Sequence, residues 1–303
     1  MKIFPSLSIA FFLLLFSIAS YGCFKNDYAN PDYVKEVKDF RKGRVKFLKS
    51  EEGYLNLVGL FWLNNGKNTF GSDNNNDLHF PQEFPKKFGT VTRLENKLSF
   101  TFEEPVSFNN DSIITSSTID IDDKSNFFSY GPFRWFIIKS SDNYAIRMRN
   151  LESPILKENL NLRFYEIDQS WRITGKFTPY DNYRTSIITN VRDHDYKQKI
   201  PGIIHFRRDG KAFSFEPNYT KYGMQVMFTD QSTGSETFSG GRFLLLKIPN
   251  DNQEVILDFN KALNFPCAVN DYTTCPIPPK TNHIDLMVSA GEKVYIKTDR
   301  LVN

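Results

Sequence analysis

Between Asp230 and Glu292 the chain concentrates side chains able to hold a polar ligand or to move a proton: Asp230, Thr237, Arg242, Asp258, Asn260, Asn264, Asn282 and Glu292. A carboxylate in such a group can act as general base toward water. An arginine can stabilise developing negative charge, or bind an anion through its planar fork of N–H donors. Arg242 opens the apolar run "RFLLLKIP" and Asp258 closes "EVILD". In neighbouring strands the two would stand at near ends, where a bidentate pair is expected. Asp258 also begins "DFNKALNFPCAVNDYTTCPIPPK", whose Asn, Cys and Pro residues neither pack a core nor suit a regular element. Pro266, Pro276, Pro278 and Pro279 stiffen this segment, and Asn270-Asp271 favours a turn that lets Cys267 meet Cys275 in a disulfide. An ordered loop of this kind either satisfies its own backbone or covers a pocket floored by Asp230, Arg242 and Asp258, and the sequence leaves both open.

Other motifs carry less. There is no Gly-x-Ser-x-Gly elbow, phosphate-binding loop or dinucleotide fingerprint. His79, His194, His205 and His283 show no metal-ligand spacing, and His194 between Asp193 and Asp195 reads as a solvated turn. "SDNNND" starts like a calcium loop, but it lacks the glycine after the third ligand and has Phe84 where the closing glutamate belongs. Ser232 and Ser235, in "TDQSTGSETF", read as part of a hairpin turn. No metal and no cofactor is therefore expected. Three functions remain. The leading one is binding of a small polar or anionic ligand beneath the 258–282 loop. The second is a hydrolase with Asp230 or Asp258 as general base and Arg242 as electrostatic stabiliser. The third is a structural component of the cell envelope, with protein partners the sequence does not name.

The elements that would position these residues are mostly strands. Runs such as "KLSFTFE", "GTVTRLE" and "EVILDFN" alternate apolar and polar residues or are short and apolar, and turn residues bound them. Phe, at 29 residues, favours the same state. About a dozen such segments predict an all-β protein, mainly antiparallel and sandwich- or barrel-like. One helix precedes them: Pro31 and Asp32 start it, and Tyr33, Val37, Phe40, Val45 and Phe47 fall at roughly helical spacing. The polar stretch at 105–125 offers a possible sub-boundary within a single domain running from 31 to 303.

The first 22 residues combine Lys2 with an apolar run too short for a stable span, as in an export signal. Ser20 and Gly22 before Cys23 resemble a bacterial lipobox, although Ser20 stands where Leu is usual and Tyr21 is bulky. Cys23 is thus the expected lipidation site, residues 23–30 a tether, and the protein an exported, lipid-anchored component of the envelope. In an oxidising compartment the remaining pair, Cys267 and Cys275, is expected to be oxidised. A formal net charge of +3 with no Lys/Arg block argues against nucleic acid as a partner.

Four stretches, "GLFWLNNGKNTFGS", "FTDQSTGSETFSGGRFLLL", "LDFNKALNFPCAVNDYTTCPIPPKTN" and "SAGEK", resemble signatures of the domain of unknown function 1684 family over roughly residues 45 to 298. The resemblance implies one bacterial and archaeal domain family whose distinctive residues lie in the loop after Asp258. It implies no reaction.

Overall fold

A computed structural model describes residues 30–296; the expected export signal and Cys23 lie outside the described residues. The expected helix is α1 (Pro31–Leu48), capped by Asn30, whose Oδ1 accepts from the Asp32 N–H at 2.8 Å. Its buried side chains are Tyr33, Val37, Arg44 and Leu48, so an arginine occupies the inward stripe while Phe47 turns outward.

All but one of the strands of the first half pair antiparallel. They are β1 (Leu57–Trp62), β2 (Gly66–Gly71), β3 (Leu78–His79), β4 (Gly89–Leu94), β5 (Lys97–Phe108), β6 (Ser112–Asp120), β7 (Phe127–Tyr130), β8 (Phe133–Ser140) and β9 (Asn143–Asn150). They form one sheet in the order β1-β9-β8-β7-β5-β4-β2-β3, with β6 added to β5, and it curls into a nearly closed barrel. Only the two-residue β3 pairs parallel, to β2. Inside lies an aromatic core in which Phe70, Phe88, Phe100, Phe128 and Trp135 are fully or almost fully buried. The polar stretch at 105–125 runs through the hairpin of β5 and β6 inside this sheet.

The second half holds β10 (Arg172–Thr189), β11 (Asp195–Arg208), β12 (Lys211–Phe215), β13 (Asn218–Thr220), β14 (Gly223–Phe228), β15 (Arg242–Leu246), β16 (Glu254–Asp258) and β17 (Leu263–Asn264). Two four-stranded sheets result, β12-β11-β10-β16 and β13-β14-β15-β17. Their second core joins Phe177, Ile204, Phe206 and Phe215 of one sheet to Val226, Phe228, Leu244 and Leu246 of the other. The chain is all-β with one helix, as its alternation predicts. β15 and β16 belong to different sheets, and this decides where Arg242 and Asp258 go.

Candidate functional site

Arg242 lies opposite Phe228 on β14 and Asn264 on β17. From there its fully buried guanidinium reaches the turn after β14, not the end of β16. Nη2 donates to Asp230 Oδ2 at 2.8 Å and to the Val288 carbonyl at 3.1 Å, and Nη1 donates to the Ala290 carbonyl. Asp230 also accepts the Ser232 N–H at 2.7 Å, and Ser232 Oγ lies 2.9 Å from Thr237 Oγ1. The expected Arg242–Asp258 pair is therefore replaced by an Arg242–Asp230 pair, because the sheets separate the two strand ends. Ser232 lies in a turn, as its sequence suggests, and is fully buried in this network. Two glycines make the geometry possible. Gly241, at φ +79°, would put a Cβ 2.7 Å from the Phe228 carbonyl, and Gly291, at φ +83°, one 2.7 Å from the carbonyls of Phe259 and Ala262. Each sits directly before a buried charge, Arg242 or Glu292, in the stretches "GGR" and "AGE".

Helix α1 closes over the other candidate residues. Tyr33 Oη donates to Asp258 Oδ1 at 2.8 Å and accepts from Asn260 Nδ2 at 2.8 Å, while Lys261 lies 3.3 Å from Asp258 Oδ2. Burial, then the bond to Asp258, drives the Tyr33 hydroxyl well above its ordinary range. Asn260 completes a two-way clasp with the Asp168 backbone, at 2.7 and 3.1 Å. Further along, Arg44 Nη2 donates to the Asn264 carbonyl at 3.0 Å and its Nε lies 3.5 Å from Glu292 Oε2. That carboxyl also accepts the Asn264 N–H at 3.2 Å. Burial raises the Glu292 pKa, against the pull of Arg44 and of the Asn264 bonds. Asn282 stands apart, linking the Glu216 backbone to the Met227 carbonyl at 2.8 to 2.9 Å.

The eight candidates thus fall into separate internal networks: Asp230, Thr237 and Arg242; Asp258 and Asn260; Asn264 and Glu292; and Asn282. All are buried and partnered within the chain. Sequence reasoning missed Tyr33, Arg44 and Ser232. For Arg44 a signal existed, since it falls eleven positions after Tyr33, three helical turns on the same stripe. The loop itself is pinned by the Cys267–Cys275 disulfide, with Cα atoms 6.3 Å apart. Asn270 Nδ2 ties it to the Leu57 carbonyl of β1 at 2.9 Å, and Arg147 of β9 donates to Thr274 Oγ1 at 3.1 Å.

Because the loop is bound to the first sheet in this way, Tyr272 projects at the mouth of a groove of about 430 Å³. One wall is β1, through Val58, Leu60 and Phe61; the other is the end of β3 and the segment after it, through His79, Pro81, Gln82 and Glu83. Phe80 and Phe133, both almost fully buried, form the floor, and Asn150 closes one side. The groove lies across the seam where the curled sheet fails to close. His79 Nε2 is 2.9 Å from the Ser72 carbonyl, so in the neutral ring Nε2 donates and Nδ1 is left as an acceptor. Asp73 and Asp77, the would-be calcium ligands, accept from Asn75 and Thr69. Among the described residues no group of three or more His, Cys, Asp or Glu is placed to hold a metal ion.

Residues 158–293 match the family described as "Protein of unknown function (DUF1684)". This part of the chain belongs to the DUF1684 family. The matched segment contains Asp230 to Glu292, hence every residue of the buried networks except Tyr33 and Arg44. "GLFWLNNGKNTFGS", which carries Phe61 of the groove, lies outside the DUF1684 segment. A solved structure that is similar to the chain is the solution NMR structure of an uncharacterized protein of Haloarcula marismortui. It is 25% identical, covers 46% of this chain and 80% of its own, and aligns with a TM-score of 0.39. No curated protein matches.

Proposed function

We propose that the protein is an exported, lipid-anchored binding protein that seats a small ligand in the groove between β1, the 79–83 segment and Tyr272. One observation carries this reading. The groove is concave and mostly apolar with a few convergent polar groups, as ligand sites are, whereas the buried candidate residues already bond to partners within the chain. The polar floor beneath the 258–282 loop supports a ligand less well: an anion there would have to displace Asp230 and two carbonyls from Arg242. The hydrolase reading is weakened by the same geometry, since Asp258 is committed to Tyr33 and Lys261, and Asp230 to Arg242.

The loop takes part in this function by presenting Tyr272, which is exposed enough (41%) for its removal to leave the fold intact. A fragment screen by ligand-observed NMR, run on wild type and Tyr272→Ala, tests the placement. Ligands should bind the wild type and weaken several-fold in the variant. Ligands held equally by both, with contacts mapping to residues 258–264, would return the site to the polar floor. The anchor is tested separately: wild-type protein should partition with membranes and Cys23→Ser should release it. Soluble wild-type protein with an unmodified N-terminus would remove the anchor.

A further inference from the structure

We propose that the groove selects organic cations, namely small ammonium ions carrying apolar substituents, over neutral or anionic molecules of the same shape. This rests on the reading of the groove as a ligand site and adds the ligand's charge to it. Tyr272 offers an exposed ring to a ligand, and the half-buried Phe61 lines the groove with its ring 4.8 Å, between centroids, from that of Phe80, which fixes it against the core. Aromatic faces carry negative quadrupole density and attract a desolvated cation, most of all a weakly hydrated alkylammonium.

The rim has the same polarity. Glu83 contributes a carboxylate, and none of the eleven lining residues is Lys or Arg. A bound anion would meet the Glu83 charge and the ring faces with no cation among the lining residues to offset them. A neutral apolar molecule would fill the space but draw nothing from Glu83. An ammonium group satisfies ring faces and carboxylate together, and its alkyl groups occupy the aliphatic wall of Val58 and Leu60.

The mature chain, titrated by calorimetry with choline, with its uncharged carbon isostere 3,3-dimethylbutan-1-ol and with the anion pivalate, decides the matter. Choline should bind about tenfold more tightly than the isostere, within the range a cation–π site with a nearby carboxylate gives. Glu83→Gln should reduce choline affinity severalfold and leave the isostere unchanged, while Tyr272→Ala should weaken both. Equal affinity for choline and the isostere would overturn the charge selection and leave groove binding standing. Preference for pivalate, or no binding of choline at millimolar concentration, would also overturn it. Groove binding would fail by itself only if the Tyr272→Ala comparison in the fragment screen also failed.

Discussion

Replacing Arg242 by Met keeps the aliphatic stem and removes the guanidinium. Both partners of the Arg242–Asp230 pair are fully buried. Without Arg242, the Asp230 carboxylate retains the Ser232 N–H and no counter-charge. Removing one partner of a buried pair costs about 3–5 kcal/mol, because the surviving charge stays desolvated. The carbonyls of Val288 and Ala290 lose a charged donor as well. In a chain of this size each kcal/mol moves the melting temperature by about 2–4 °C, so the variant should melt on the order of 10 °C lower. Asp230→Asn in the Arg242→Met background should recover part of the loss, since the stranded charge disappears. Urea titration of the four proteins of the cycle, with slopes compared to confirm an unchanged transition, gives the coupling energy. A loss below about 1 kcal/mol in Arg242→Met would refute the clasp and make the guanidinium available for a ligand.

The remaining stability predictions are shorter. Cys267→Ser/Cys275→Ser should lower stability by roughly 2–3 kcal/mol without changing the far-UV spectrum, and native protein should yield the two thiols only after reduction. Free alkylation of both in native exported protein would contradict the bond. Glu292 binds its proton more tightly folded than unfolded, so it makes stability fall as pH rises above its ordinary value of 4.5 toward the raised folded value. Melting temperatures from pH 4 to 8 should therefore decline less steeply in Glu292→Gln, and identical slopes in the two proteins would refute that assignment.

The fold class was legible because most strands announce themselves by period-two alternation, and α1 because Pro31 and Asp32 start it ahead of an apolar stripe. The partners of the polar residues were not. Arg242 opens β15 and Asp258 closes β16, which reads as a pair if these consecutive strands are antiparallel neighbours, but β15 joins β14 and β17 while β16 joins β10. Sheet membership is a long-range property that no local pattern encodes. Arg44 was hidden for a related reason: a helix stripe read by hydrophobicity passes over an arginine whose buried partner, Glu292, lies far along the chain. The groove was the least visible feature. Its walls come from β1, the end of β3 with the segment after it, and Tyr272, and none of these is distinctive until the sheet curls and the disulfide loop is tied to β1.

The family segment and the physical unit do not coincide. The DUF1684 match begins at residue 158, yet Asp258, Asn260, Asn264 and Glu292 find partners on α1, which precedes the first sheet. Arg41 also donates to the Tyr165 carbonyl at 3.0 Å, and Lys261 pairs with Glu36. The second half is thus completed by a helix more than a hundred residues upstream, with strands β1 to β9 carried between them. A fragment of residues 158–296 would expose the Asn264 carbonyl and leave Glu292 without Arg44, and Asp258 and Asn260 would lose the Tyr33 hydroxyl. Each lost bond is worth about 0.5–1.5 kcal/mol net, and with the burial of Val37 and Leu48 also gone, the sum approaches the margin of a typical domain. The fragment alone should therefore be unfolded or aggregated, while the same fragment joined to residues 30–50 by a flexible linker should recover a cooperative urea transition. A stable, cooperative 158–296 fragment without the helix would show that α1 merely rests on the sheets, and the buried networks would then need another explanation.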